Sequence, residues 1–320
     1  MIAGTTLIGI DVSRDWLDGF CLSDQQRFRH ANTAEGHRAL VAMIRRTPFP
    51  VKVGFEATGG HEWVLWRELA AAGIVAVQLS PAQIKAFALS RGTRAKTDRI
   101  DAELIARFMA FRPEAGRELP EENLRILRTL TTRRGQLVDM RKRFSAQIRA
   151  RKKQGVSAGI ETMDDDLENV LNTQIDAIER RIETVITQVD RLAAMAKLLR
   201  SIPGIGPVCA AMVIAELPEL GRMTSGEVAS MTGLAPISHD SGAMRGRRMI
   251  AGGRRSLRHV LFQAALAAAC HNKVLKSVAT RLKERGKPHK LVIIAIARRL
   301  ITIANAIIKS GTPWQIQPRE

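Results

Sequence analysis

The chain of 320 residues contains no tyrosine. That excludes a DNA-joining enzyme built on a tyrosine nucleophile. Aromatic residues make up only 4% of it, so nucleic-acid binding dominated by bases stacked on rings is not expected. The three cysteines, Cys21, Cys209 and Cys270, are far apart and lack metal-ligand spacing. No Walker-type Gly-Lys-Ser/Thr loop occurs, and no Gly-x-Gly-x-x-Gly follows the first apolar run. ATP-driven chemistry and a dinucleotide-binding fold are therefore not expected. The apolar stretch from Leu291 to Ile308 is interrupted by Arg298, Arg299 and Asn305, so no bilayer-spanning run is read. The first residues lack the charged start and cleavage site of a secretory signal. A reducing cytoplasm is the expected location.

Acidic residues are the scarce charge. There are 31 against 50 lysines and arginines, a formal net charge of +19. So large an excess points to a polyanionic partner, nucleic acid before membrane. Against that background four carboxylates stand out. Asp11 ends the apolar run Leu7-Ile8-Gly9-Ile10, and Glu56 ends Val51-Lys52-Val53-Gly54-Phe55. Asp98 and Asp101 lie three apart in Lys96-Thr97-Asp98-Arg99-Ile100-Asp101, hence on one face of a helix. Carboxylates at two strand ends and one helix face can converge. Converging carboxylates need a cation, and hard oxygen donors suit Mg²⁺, with Mn²⁺ as a substitute. Such a site clamps the attacking and leaving oxygens of a phosphoryl transfer. Thr58, Lys96 and Arg245 are read as supporting or phosphate contacts.

Residues 1–112 read as α/β. Strands are predicted near 5–11, 16–22 and 26–31 as a meander, then helix 34–46, strand 51–56, helix 61–72 and strand 74–79. A helix opened by Ser80-Pro81 and another over 98–111, with Thr97 as N-cap, complete the unit. Meander followed by alternation matches a ribonuclease-H-type layout. Residues 120–200 read as long helices, with a turn at Gly155 to Gly159. From Arg125 to Lys153 eleven basic residues face one acid, Asp139; from Glu161 to Asp190 the sign reverses over an apolar three-four repeat. Arg133, Arg134, Arg141 and Arg143 of the basic arm are expected phosphate contacts.

The stretch Ser201-Ile-Pro-Gly204-Ile-Gly206 before an apolar helix reads as a helix-hairpin-helix turn, with Gly204 and Gly206 letting backbone approach a phosphate. Ser241, between Asp240 and Gly242, lies in a loop rich in glycine and arginine. Arg245, Arg247, Arg248 and Arg254, with Arg255, are placed to surround a phosphate there. His239 is a candidate base for Ser241, metal activation the alternative. Helices near 256–270, 272–285 and 291–309 finish the chain.

The ordered motifs Gly-Ile-Asp at 9–11, Phe-Glu-Ala-Thr-Gly at 55–59, Lys-Thr-Asp-x-x-Asp-Ala at 96–102, Ser-Ile-Pro-Gly-Ile-Gly at 201–206, Gly-Leu-Ala-Pro at 233–236, Asp-Ser-Gly at 240–242, Gly-Gly-Arg at 252–254 and Gly-Lys-Pro at 286–288 run through nearly the whole chain. In this order they resemble the transposases of the insertion-sequence 110 family, with its insertion-sequence 1111 subgroup. The resemblance implies an α/β, RNase H-like domain similar to the RuvC resolvase over 1–115, carrying Asp11, Glu56, Asp98 and Asp101 as catalytic ligands of Mg²⁺. It implies a helical coiled-coil segment for dimerisation and nucleic-acid binding over 116–197. Over 198–320 it implies a mainly helical transposase domain in which Ser241 forms a covalent phosphoserine link to DNA. It further implies a composite site shared between protomers, dimers assembling to tetramers, and a noncoding bridge RNA that pairs with donor and target DNA. No membrane partner is expected, and the expected setting is the bacterial cytoplasm, at the nucleoid during activity. Two other readings use the same residues: a metal-dependent, structure-selective endonuclease with water as nucleophile, and a nucleic-acid-binding protein with a retired nuclease fold.

Overall fold

A computed structural model describes residues 4–47, 50–92, 98–155, 159–237 and 248–315, with backbone alone at 98–100. The chain divides into two compact units, Met1–Pro120 and Glu121–Glu320. In the first, the order is β1 (Thr6–Val12), β2 (Trp16–Cys21), β3 (Arg27–Ala31), α1 (Ala34–Arg45), β4 (Val51–Glu56), α2 (Glu62–Ala71), β5 (Val75–Leu79), α3 (Pro81–Ser90) and α4 (Asp98–Phe111). The sheet runs β3-β2-β1-β4-β5. Strands β1 to β3 are antiparallel, and β4 and β5 lie parallel to β1 across helical crossovers. This mixed sheet with its helices is compatible with a ribonuclease-H-like fold. The elements match the predicted ones to within one or two residues; Thr97, the expected cap of α4, lies outside the described residues.

Strand alternation sorts the side chains. Ile8, Ile10, Val12, Leu17, Val53 and Phe55 share one core with Leu40 and Ile44 of α1 and Leu65, Trp66 and Leu69 of α2. On the other face Val77 and Leu79 pack with Leu104, Ile105, Phe108 and Met109 of α4, and Phe20 with Ala102 and Ala106. Helix α4 comes closest over Gly9. A Cβ there would lie 2.1 Å from the Ala102 carbonyl oxygen and 2.6 Å from the Ala106 nitrogen. Only a residue without a side chain permits that approach.

The second unit is helical: α5 (Glu122–Lys153), α6 (Glu161–Thr187), α7 (Asp190–Arg200), α8 (Pro207–Glu216), α9 (Ser225–Met231), the strand pair β6 (Pro236–Ile237) and β7 (Met249–Ile250), α10 (Arg255–His271), α11 (Lys273–Glu284) and α12 (His289–Ser310). The base of the α5–α6 hairpin joins the common core: Leu124, Leu127, Ile182 and Ile186 are buried with residues of α7, α8, α10, α11 and α12. Short α9 is an addition to the sequence-level reading. Its capping box, Thr224 with Glu227, satisfies two N–H groups at its start, those of Glu227 and Thr224. The reading of Leu291 to Ile308 needs correction. By length and composition α12 is long and apolar enough to cross a membrane, because two arginines do not offset the isoleucines around them. Half of that stretch is buried inside the unit, where Val292, Ile296, Leu300 and Ala304 line the core.

Candidate active site

The candidate residues fall in two places in the sequence, one in each unit. In the first, residues line up across the sheet. Asp11 pairs in register with Asp18 of β2, and Asp18 with Arg29 of β3. Ile10 pairs with Phe55 in the parallel ladder, so Asp11 and Glu56 are its next step. Glu56, Asp11, Asp18 and Arg29 thus form a row over four strands, on the face that α4 covers. Asp101 precedes Ala102, whose carbonyl oxygen abuts Gly9, two residues before Asp11. Asp98 lies one turn earlier in the same helix. Asp11, Glu56 and Asp101 are each half-buried. The backbone therefore brings the positions of the sequence-predicted carboxylates to one end of strands β1 and β4, on the face that α4 covers.

The donor set is all carboxylate, which fits a hard divalent cation. Among the described residues, whose side chains do not include that of Asp98, no three histidine, cysteine, aspartate or glutamate side chains close into a metal-holding group. The fit to such a cation rests here on the chemistry and backbone placement of the donors.

Sequence reasoning missed three features around these carboxylates. The first is Asp18, which is buried and receives both Nε (2.7 Å) and an Nη (3.0 Å) of Arg29. Like charges directly opposite on a sheet are destabilising, and Arg29 offsets this for Asp18 beside Asp11. The second is a pair of loop straps. Asn32 Nδ2 donates to the carbonyls of Ser13 (2.7 Å) and His61 (3.3 Å), joining the loops that follow Asp11 and Glu56. Its Oδ1 lies 2.7 Å from His37 Nε2, so that nitrogen carries the proton. Burial pushes the His37 pKa down, with Glu68 partly opposing. The third is buried Glu62, which accepts from the Thr58 hydroxyl (2.7 Å), Thr58 N (3.3 Å), Gly60 N (3.0 Å) and Gln78 Nε2 (2.7 Å). Burial works against its charge, but the Thr58 and Gly60 hydrogen bonds prevail and hold the carboxyl below the usual range. Thr58, expected as a supporting or phosphate contact, spends its hydroxyl on Glu62. Alternation alone marks Asp18 as an inward carboxylate; Glu62 reads in sequence as an ordinary first-turn acid.

In the second unit the candidate nucleophile Ser241, with His239, Arg245 and Arg247, falls outside the described residues, as does Lys96 of the first. Strand β6 pairs with β7 through Pro236–Ile250 and Ile237–Met249. Arg258 donates to the carbonyl of Gly252 at 2.6 Å, and Arg254 N donates to the Met231 carbonyl at 2.9 Å. Arg248 is exposed. Arg254, expected to meet phosphate, instead binds its own unit. It forks onto Glu219 at 3.0 and 3.2 Å and donates to the Glu216 carbonyl.

The other expected nucleic-acid contacts divide. On α5, Arg134 pairs with Glu179 at 2.6 Å and Arg141 with Asn172 at 2.6 Å, both on α6. Further along, Ser145 donates to Glu168 and Arg151 to Asp164. Arg133 and Arg143 are exposed, as are Lys142, Arg149, Lys152 and Lys153. Gly204, at φ +109°, is pressed against α10: a Cβ there would lie 2.5 Å from that of Ala268. The close approach expected of it toward a phosphate is made to the protein itself. Gly206 is exposed at the N-cap of α8, with open space around it. Cys209 is buried and its thiol pushed up to about 12 by desolvation, which removes it as a nucleophile.

Comparison with known proteins places these residues in a family. A transposase model of the DEDD type of IS110 elements matches residues 8–152, and the transposase model of the IS116/IS110/IS902 family matches 196–280. Together they span more than two thirds of the chain. Similar proteins include the pilin gene-inverting protein of Moraxella bovis, 28% identical over 97% of each chain. The insertion element IS110 protein of Streptomyces coelicolor is 28% identical over 45% of this chain and 36% of its own. A putative transposase of Sinorhizobium fredii is 25% identical over 87% and 78%.

Proposed function

This chain belongs to the IS110 family of insertion-sequence transposases, DNA recombinases, and from that premise we propose that it joins donor and target DNA through a serine-linked intermediate under the guidance of a bridge RNA. The observation that carries the reading is the row of Glu56 and Asp11 on neighbouring strands, with Asp98 and Asp101 on the helix crossing beside them. These four would hold Mg²⁺, which when bound supplies charge neutralisation at the scissile phosphate and a lowered pKa for an attacking oxygen. In the proposed reaction the Ser241 oxygen bonds to phosphorus as the bond to a deoxyribose oxygen breaks. The serine proton leaves to a base and the released deoxyribose oxygen gains one. A hydroxyl of the second DNA then attacks the phosphoserine, restoring the serine and sealing the exchanged strand. The phosphodiester bond count is unchanged, so no nucleotide hydrolysis is needed. Arg248 and the neighbouring Arg245 and Arg247 would stabilise charge on the transferring phosphoryl.

The three-part organisation follows the same reading. Residues 1–115 act as a RuvC-like catalytic domain, 116–197 as a coiled-coil dimerisation and nucleic-acid-binding segment, and 198–320 as a serine transposase domain with a helix-hairpin-helix turn at 201–206. Dimers assembling to tetramers would bring the carboxylates of one protomer to the serine of another. Sequence choice delegated to RNA pairing leaves the protein to read backbone and shape, which agrees with a charge of +19. The relative named for pilin gene inversion fits a strand-exchange reaction of this kind.

The test is a recombination assay with donor DNA, target DNA, Mg²⁺ and RNA transcribed from the element's flank. Asp11→Asn, Glu56→Gln and Ser241→Ala should each abolish product, as should omitting the RNA. Cleavage that persists in Ser241→Ala would instead assign water as the nucleophile.

A further inference from the structure

We propose that Glu62 is a positioning residue for the carboxylate site: held by Gln78 and Arg117, it fixes the turn after β4 and through it the cation-binding pose of Glu56. The proposal rests on reading Glu56 as a metal ligand.

The argument starts from the polarity of the hydrogen-bond chain. A guanidinium can only donate. Arg117 Nε lies 2.7 Å from Gln78 Oε1, and an Nη of the same group donates there too. The backbone locks the pair further, with Gln78 N to Arg117 O at 2.9 Å and Arg117 N to Gln78 O at 3.0 Å. Gln78 must therefore turn its amide nitrogen to Glu62 Oε1, at 2.7 Å. The other oxygen, Oε2, takes three donors from the turn: Thr58 N, the Thr58 hydroxyl and Gly60 N. Every neighbour is a donor, so only an acceptor-only carboxylate fits. An amide at position 62 would set NH₂ against a donor whichever way it was turned.

The position explains the consequence. Gln78 is the β5 partner of Phe55, the residue before Glu56. Thr58 is two residues after Glu56. Gly59 and Gly60 have φ of +78° and +130°, a backbone that would sample many conformations if untethered. Phe55 is anchored on the other side by its edge-to-face contact with Trp66, centroids 5.3 Å apart. Glu56 thus sits between a fixed ring and a turn that Glu62 holds at Thr58 and Gly60, while Asn32 ties it further along at His61. Glu62 thereby occupies the Thr58 and Gly60 N–H groups of the turn before α2 as an internal anion.

The test measures Mg²⁺ binding to the full chain by calorimetry, together with the Mg²⁺ midpoint of DNA cleavage. Loss of groups that orient a metal ligand costs about 10–100-fold in metal affinity. Because Glu62 acts through the backbone, Glu62→Gln should raise both midpoints about tenfold, the low end of that range. Thr58→Val should move them the same way, and Thr58→Ser, which keeps the hydroxyl, should restore them. If Glu62→Gln does not fold, the Thr58 pair decides alone. Folded variants with unchanged midpoints, beside a Glu56→Gln control that abolishes binding, would make Glu62 merely structural and overturn the proposal. A Glu56→Gln control that binds Mg²⁺ normally would remove the reading of Glu56 and the proposal with it.

Discussion

Gly9 shows how a single residue connects packing to chemistry. The Ala102 carbonyl rests where its Cβ would be, so Gly9→Ala must push α4, and with it Asp98 and Asp101, off the sheet. Overpacking of this kind costs about 1–3 kcal/mol. Denaturant unfolding should report that loss, and recombination should fall more steeply than stability because the carboxylates separate. His37 gives a pH prediction at the same scale. Its pKa is lowered by burial from the model-peptide value of 6.5, and its Nδ1 is buried with no hydrogen-bond partner among the described residues. The neutral form is favoured in the fold, so the unfolded chain binds the extra proton first. The stability His37 contributes is present above about pH 6.5 and is lost as the pH falls through its lower folded value. Thermal melts from pH 7.5 downward should decline over that window, and His37→Gln should flatten the decline.

The α5–α6 hairpin carries the clearest lesson at the scale of elements. Charge counting along the basic arm marked Arg133, Arg134, Arg141 and Arg143 alike. Yet Leu127, Arg134, Arg141 and Ile148 recur every seven residues and share the face turned to α6, where Leu127 and Ile148 are buried and the two arginines meet Glu179 and Asn172. The spacing was in the sequence; a charge census discards it. Measured against salt, the nucleic-acid affinity of Arg143→Ala should lose about one unit of log–log slope, while that of Arg134→Ala should keep its slope and the protein lose stability. Strands and helices of the first unit were legible because period-two and three-four patterns are bounded by turn residues. The α9 turn and the β6–β7 pair were not, since elements of seven and two residues are too short to carry a period. The partners of Arg254 were hidden for another reason: Glu219 is 35 residues away in sequence, and local arginine density says nothing of such contacts. The candidate carboxylates stood out in sequence because Asp11 and Glu56 close strongly patterned strands while Asp98 opens α4 with Asp101 in its first turn.

At the scale of the whole molecule, the family assignment, the carboxylate row and the excess of positive charge converge on DNA recombination. The candidate residues fall in both compact units by sequence position, the carboxylates in Met1–Pro120 and Ser241 in Glu121–Glu320. Under the proposed mechanism neither is competent alone. An equimolar mixture of Asp11→Asn and Ser241→Ala chains should therefore regain part of the activity that each lacks, read as recombined product, if protomers share sites. The most direct measurement of the central claim is to trap the protein–DNA adduct with Mg²⁺ and flank RNA, digest it, and locate the linked residue by mass spectrometry. The account predicts a phosphodiester on Ser241, absent from Ser241→Ala and from Asp11→Asn. Cleaved DNA with no bond to the protein, or an adduct that survives Ser241→Ala, would contradict it.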